Sequence, residues 1–294
     1  MIELIPQPNE AGQNILEWLA ARIPAAPHSY LRRLLRKEKI RCAGEPLGES
    51  AAVQAGQPVQ LSDSARLREL LDQAALPEVA IVFESRELLV ALKPSGLAVH
   101  RGAGHEADNL TDRVQALLQS RRAPFRAAPI HRLDAETSGP VLFGKGRKAA
   151  SELGKLFMAG AVEKTYLALA SGTLEGAGRL ESMVPAKGKL KASATDFRRL
   201  SGNRQFTLLE LRLLSGRTHQ IRRQLAELGH PLAGDRRFRG PAVAGLNRLF
   251  LHCCRLSLRD PFSGTPLLIE APLPVELDRC LKQLAIMPPQ GEAP

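Results

Sequence analysis

The stretch "HRLDAETSG", residues 131–139, packs a histidine, an arginine, two carboxylates and two hydroxyls into nine positions. These groups could do chemistry. Asp134 could be a nucleophile, a general base or a charge stabiliser, and Arg132 could bind a phosphate. Thr137 and Ser138 could fix the loop by hydrogen bonds. Taken alone, the pattern fits an ordinary turn in which Asp134 bonds backbone N–H groups. Its flanks argue for more. Ile130 and Leu133 wall it on one side, and Val141, Leu142 and Phe143 follow on the other. A surface loop would not need those walls, and a core strand would not tolerate the charges. The expected arrangement is a chemical site at the mouth of a buried strand.

A second polar cluster, "SGRTHQIRRQLAELGHPLAGD", spans residues 215–235. Arg217, Thr218 and His219 open a predicted helix, with Arg222 and Arg223 on its first turns. Such a start can hold an anion through backbone N–H groups and the helix dipole. An arginine brought beside Asp134 would keep that carboxylate ionised. A solvated, Arg-rich helix face is the plain alternative, and it leaves the interleaved Gly, Thr, His and Gln without a reason.

The elements that must position these residues can be read from periodicity. Residues 12–23 place Ile15, Leu16, Leu19 and Ile23 on one helical face. Ser29 can cap a second helix that turns Leu31, Leu34 and Leu35 inward and Arg32, Arg33, Arg36 and Lys37 outward. "KIRCAGEPL" reads as two strands about a turn at Gly44, and "AGQPVQLS" as a third. This small unit covers residues 1–62, and residues 63–77 read as a helical linker. A larger domain, residues 78–290, then mixes strands and helices without regular βαβ alternation. It is expected to be α+β, with a mixed, largely antiparallel central sheet. Within it, strands are expected near 78–93 (two, about a turn at Ser85-Arg86), 164–172, 193–213, 249–258 and 266–270. Helices are expected near 110–119, 147–159 and 218–228, the last ending at Gly229.

Composition narrows the partners. The chain has 294 residues, 44% of them hydrophobic and only 4% aromatic, with a net charge of +11. That excess of Lys and Arg favours a polyanion, nucleic acid before an anionic membrane. Cys42, Cys253, Cys254 and Cys280 form no C-x-x-C and no paired Cys/His spacing, so no metal is expected. The N-terminus has no basic leader, and no apolar run approaches 18 residues. A cytoplasmic protein without a membrane partner follows, with a monomer as the default.

Five motifs together resemble the RluA-type pseudouridine synthases. They are "KPSGLAVHRG" (93–102), "HRLDAETSG", "EKTYLALASG" (163–172), "GRTHQIRRQLAELGHPLAGD" and "LHCCRLSLRDPFSGTPLLIEAPLP", in that family's order across about residues 80–275. The front end, with its basic helix leading into "KIRCAGEP", resembles the S4 RNA-binding fold, although Ala43-Gly44 replaces the usual Asn-Gly and Gln57 the usual Asp.

The resemblance implies isomerisation of uridine to pseudouridine, which needs no cofactor, metal or water as reactant. It needs a carboxylate at the ribose, a shielded pocket and a way to draw the base from its stack. It implies that Asp134 is that carboxylate, attacking C1′ or taking a proton from C2′. Arg222 would pair with Asp134, Tyr166 would stack on the base and help remove the C5 proton, and Arg132 would fill the gap left by the flipped base. His131, Arg217, Thr218 and His219 complete the expected RNA-contacting set, with Arg32, Arg33, Arg36 and Lys37 at the front end. Of these, His131 reads more as a structural neighbour than as an acid or base. The implied RNA is large-subunit ribosomal RNA. Transfer RNA is the alternative within the family, and a non-catalytic RNA-binding or ribosome assembly factor is the alternative outside it.

The sequence departs from the family pattern at Pro140, Gln224 and Phe238, none of which is Asp134, Tyr166 or Arg222. "GKGRKA" (144–149), with Glu163 downstream, mimics a dinucleotide fingerprint. The absence of repeated βαβ units argues against that reading.

Overall fold

The computed structural model describes residues 1–74, 79–102, 105, 108–186 and 189–287. The chain divides into two compact units, one formed by Met1–Val79 with His100–Arg126, the other by Ala80–Val99 with Ala127–Pro294.

In the first unit, strand β1 (Ile2–Leu4) precedes helix α1 (Ile15–Arg22), whose first turn is capped by Asn14 accepting the Leu16 N–H. Ile15, Leu16, Trp18 and Leu19 are buried, which is the face expected from their spacing, with Trp18 added. Helix α2 (His28–Arg36) corrects one expectation. It starts a residue before Ser29, with Pro27 at the cap position and no side-chain cap. Leu31 and Leu35 are buried, while Arg32, Arg33, Arg36 and Lys37 are exposed. Strands β2 (Ile40–Cys42) and β3 (Glu45–Pro46) form a hairpin whose turn residues, Ala43 and Gly44, both have positive φ. With β4 (Val59–Leu61) they complete a sheet of order β1-β4-β2-β3. Helix α3 (Ala65–Ala74) falls in the segment read as a linker, yet Leu67 and Leu70 are fully buried in this unit's core. Helix α4 (Leu110–Ser120), assigned by sequence to the larger domain, clusters here through its contact with α3. Arg101, which pairs with Glu69 of α3 and Asp112 of α4, reinforces that packing. Residues 75–78, the end of the expected linker, lie outside the described residues.

The second unit contains two antiparallel sheets. The smaller has the order β5-β6-β8-β7, from β5 (Ile81–Glu84), β6 (Leu88–Lys93), β7 (Ala127–Pro129) and β8 (Gly139–Lys145). The larger has the order β10-β11-β12-β9-β13-β14. Its strands are β9 (Val162–Ser171), β10 (Ala177–Ala186), β11 (Lys189–Gly202), β12 (Phe206–Leu213), β13 (Leu251–Arg259) and β14 (Pro266–Glu270). Helix α5 (Gly146–Met158) follows β8, α6 (Gln220–Glu227) follows β12, and α7 (Val275–Gln283) comes last. Leu88, Val90 and Leu142 of the small sheet meet Leu153 of α5 and Val162, Leu256, Leu258 and Ile269 of the large one in a single apolar cluster. The class is the α+β expected, and every pairing within the sheets is antiparallel.

The glycines of "GKGRKA" serve packing. A Cβ on Gly144 would lie 2.5 Å from the backbone of Ala150, so this glycine lets α5 approach β8. Gly146, at φ +81°, starts that helix. Gly229 follows α6 at φ +85°, and the His230 N–H bonds the Leu225 carbonyl, the expected left-handed helix stop.

Candidate active site

Asp134 sits in the turn that leads into β8, where the Thr137 N–H bonds the Asp134 carbonyl at 3.0 Å. Antiparallel pairing sets Lys93, the last residue of β6, opposite Gly139, the first of β8. The 94–97 loop therefore lies against the Asp134 turn. The Gly96 N–H bonds the Ala135 carbonyl at 2.8 Å, and the Ser95 hydroxyl donates to the Glu136 carbonyl at 2.7 Å. Lys93, 1% exposed, donates to the carbonyls of Pro94, Leu97 and Ala135 at 2.7 to 2.9 Å. Burial pulls its pKa down to about 7; the Arg248 charge works the same way and the Asp134 charge against it.

The far side of the turn is held by β13. The Cys253 N–H bonds the Ser138 carbonyl, and a Cβ on Gly139 (φ +136°) would lie 2.4 Å from the Cys253 oxygen. Only glycine fits there. The Ser138 hydroxyl donates to His252 Nδ1 at 2.8 Å and accepts from Arg248 Nη2 at 2.7 Å. This direction follows because the Ala271 carbonyl can only accept, so the neutral imidazole carries its proton on Nε2 and leaves Nδ1 as the acceptor. Nε2 donates to that carbonyl at 3.1 Å, and burial holds the imidazole pKa at about 4. His252 and Arg248 carried no signal in sequence beyond lying in or near a family motif.

Arg222 lies inside α6, 2% exposed. Its Nε and Nη2 each donate to Asp235 at 2.7 Å, and Nη1 reaches Glu136 at 2.7 Å. The Phe238 ring covers the guanidinium at 5.4 Å. Burial opposes the charge, yet the bonds to Asp235 and the fields of Glu136 and Asp134 hold its pKa above the ordinary arginine value. The expected direct pair with Asp134 is corrected: Asp235 and Glu136 occupy this fork, and Asp134 is felt only as a nearby charge. α6 itself is fastened by two buried glutamines. Gln220 donates to the Ala194 carbonyl and Thr195 hydroxyl, while Gln224 accepts from Thr195 at 2.7 Å and donates to the Leu180 carbonyl.

The remaining expected residues fall into three groups. His219, in a left-handed conformation at the cap of α6, points Nε2 to 3.9 Å from Asp134 Oδ1. Tyr166 of β9 is 4% exposed. Burial raises its phenol well above its ordinary pKa, with Cys253 and the Asp134 carboxylate adding to the effect. Asp134, His219, Tyr166 and Arg222 are thus brought together. Arg132 and Thr218 are exposed beside them, and Arg217 is half-buried with its N–H bonded to Gln220. His131 is a correction as an RNA contact. At 5% exposure it stacks on Phe157 and accepts the Leu142 N–H at 3.1 Å, and burial lowers its pKa to about 3.

This geometry offers a solvent-reached carboxylate, 19% exposed, on a rigid turn beside a phenol and a charge-locked arginine. Residues 87–227 match the family described as RNA pseudouridylate synthase. Over 306 aligned residues the chain is 33% identical to "Ribosomal large subunit pseudouridine synthase C" of Escherichia coli (strain K12), covering 94% of each chain. It is 32% identical to the protein of the same description from Vibrio cholerae serotype O1, covering 93% of this chain and 94% of that one. Among solved structures, "Human RNA Pseudouridylate Synthase Domain Containing 4" superposes with a TM-score of 0.62 at 23% identity, over 77% of this chain and all of that one. The chain belongs to the RNA pseudouridylate synthase family. It is a pseudouridine synthase, an isomerase of uridine in RNA. Among the described residues, no helix is long and apolar enough to cross a membrane.

Proposed function

We propose that the protein isomerises uridines of large-subunit ribosomal RNA, with Asp134 as the carboxylate at the ribose of a flipped nucleotide. The observation that carries the choice of RNA is the extent of the likeness. Relatives described as ribosomal large subunit synthases match over 94% of this chain, front unit included.

In this reading Asp134 attacks C1′ or takes the C2′ proton, and its turn, bonded on both sides, keeps it from relaxing as charge develops. Tyr166 stacks on the uracil as a neutral phenol. With its pKa raised, it is a poor base in the free protein, so any help with the C5 proton comes after the base is bound. Arg132, exposed next to the turn, fills the space the base vacates, while Arg217, Thr218 and His219 line the RNA side of α6. The front unit acts as an S4-like RNA grip. Arg32 and Arg36 share Glu49, whereas Arg33 and Lys37 have no ion pair among the described residues and are the freer phosphate ligands.

The test is tritium release from RNA labelled at uridine C5, using separate large-subunit ribosomal and transfer RNA transcripts. Release from the ribosomal transcript alone is expected. Release from transfer RNA alone would overturn the substrate. Tight binding without release from either would favour the assembly-factor reading.

A further inference from the structure

Lys164 is 6% exposed, and among the described residues its ammonium has neither a hydrogen bond nor an ion pair. Lys93, the other deeply buried lysine nearby, differs sharply, because three carbonyls surround it. Nζ of Lys164 lies 4.8 Å from the centre of the Phe157 ring. The alternating burial of β9 puts Lys164 on the same face as Tyr166, one pleat away. Across from it runs the loop of Gly216, where a Cβ would come within 3.7 Å of Nζ. The same loop carries His219 to Asp134. The other groups facing the ammonium are the His131 ring, held neutral by burial, and the Cys253 thiol.

So little exposure, with no hydrogen-bond or ion-pair partner among the described residues, disfavours the charged form of this side chain. One cation–π contact with Phe157 offsets only part of that cost. A methionine would fill the space as well, so packing alone does not account for the charge. A use for it lies in the reaction. When the N1–C1′ bond breaks, its electron pair leaves with the base as a uracil anion, its charge spread over N1, O2 and O4. The ring turns, C5 supplies the pair for the new C5–C1′ bond, the C5 proton departs, and N1 takes up a proton. No other reactant enters.

We infer that Lys164 is a further catalytic residue, its ammonium the counter-charge that holds the detached uracil anion while the ring turns beside Tyr166. The inference rests on the reading that Asp134 and Tyr166 flank the target uridine. It explains why the cation has no resident partner: the partner exists only after the bond has broken, so the interaction favours the transition state over bound substrate.

The experiment compares Lys164→Met, Lys164→Arg and Asp134→Asn in single-turnover assays on ribosomal RNA carrying uridine or 5-fluorouridine. The fluorinated base is the more stable anion and needs less help to leave. Lys164→Met is expected to slow uridine conversion about 100-fold, the scale seen when one charge-stabilising donor is removed. Its RNA affinity and melting temperature should not fall. On 5-fluorouridine the deficit in bond cleavage should shrink below about tenfold, and Lys164→Arg should recover part of the rate on uridine. An equal deficit on both bases, an unchanged rate, or weakened RNA binding at an unchanged rate would overturn the inference, the last by making Lys164 a phosphate ligand. Asp134→Asn keeps the two readings apart: an active Asp134→Asn sinks the site reading, whereas an inactive one beside a normal Lys164→Met sinks only this inference.

Discussion

Arg222 and Asp235 face each other as a buried bidentate pair, both N–O distances 2.7 Å, and the third guanidinium nitrogen reaches Glu136 two residues from Asp134. One side chain thus ties α6, the loop after it and the Asp134 turn together. Asp235 is fully buried and also accepts the N–H groups of Arg237 and Phe238, which places the Phe238 ring over the guanidinium.

Removing Arg222 strands the buried Asp235 charge, and removing Asp235 leaves the buried guanidinium only the half-exposed Glu136; breaking such a buried pair costs about 3 to 5 kcal/mol. Asp235→Ala is therefore expected to lower the urea midpoint severely. Glu136→Gln, at a side chain 45% exposed, should shift stability by less than about 1 kcal/mol. Equilibrium unfolding of the two variants side by side checks the contrast, and equal effects would contradict it.

Much of this arrangement is legible in the sequence. The apolar walls of "HRLDAETSG" place Asp134 at the mouth of β8, and the spacing of Ile15, Leu16 and Leu19 gives the buried face of α1. What is not legible depends on partners far along the chain. Asp134 and Asp235 are equally plausible carboxylates for Arg222 until the fold decides between them. Strand register, which sets Lys93 beside Gly139 and Cys253 beside Tyr166, is fixed by pairing across the sheets rather than by local pattern. Nothing local marks Lys93 as buried, because its carbonyl acceptors leave no periodic trace. Helix α7 and strand β10 go unread for similar reasons, since their hydrophobic spacing is short or interrupted.

Gly139 has no room for a side chain. Gly139→Ala would force the β8 and β13 backbones apart next to Asp134, at a strained φ, with an expected cost of roughly 1 to 3 kcal/mol and a clear loss of turnover. Thermal melting and the single-turnover rate check this. A variant with wild-type stability would show that the two strands separate easily.

Arg248 braces the far end of the Asp134 turn. It donates to the Ser138 hydroxyl and the Leu251 carbonyl while pairing with Glu276. Arg248→Lys keeps the charge but not the fork. The expected outcome is a kcat about tenfold lower, a fraction of the 10²-fold that geometric misplacement can cost, with KM for RNA little changed. A raised KM at constant kcat would instead make Arg248 an RNA contact.

His131 and His252 have pKa values of about 3 and about 4, depressed by burial from 6.5. As pH falls below about 6.5 the unfolded chain takes up protons that the folded state refuses. Their contribution to stability is complete above that pH and is lost progressively toward pH 4 and 3. The slope is about 1.4 kcal/mol per pH unit for each histidine. Urea unfolding between pH 7 and 5 should show this decline, and His252→Asn should remove about one proton from the slope. An unchanged slope would mean that His252 protonates in the folded protein.

The central claim is that Asp134 performs the chemistry, and the most direct measurement is pseudouridine formation by Asp134→Asn under single-turnover conditions, with RNA binding measured on the same preparation. Asparagine keeps the shape of the turn, whose bonds to Thr137, Gly96 and Ser95 run through the backbone carbonyls of residues 134–136. The expected result is RNA bound as tightly as by the wild type and no pseudouridine formed. Product at a wild-type rate would contradict the account and move the reacting carboxylate elsewhere.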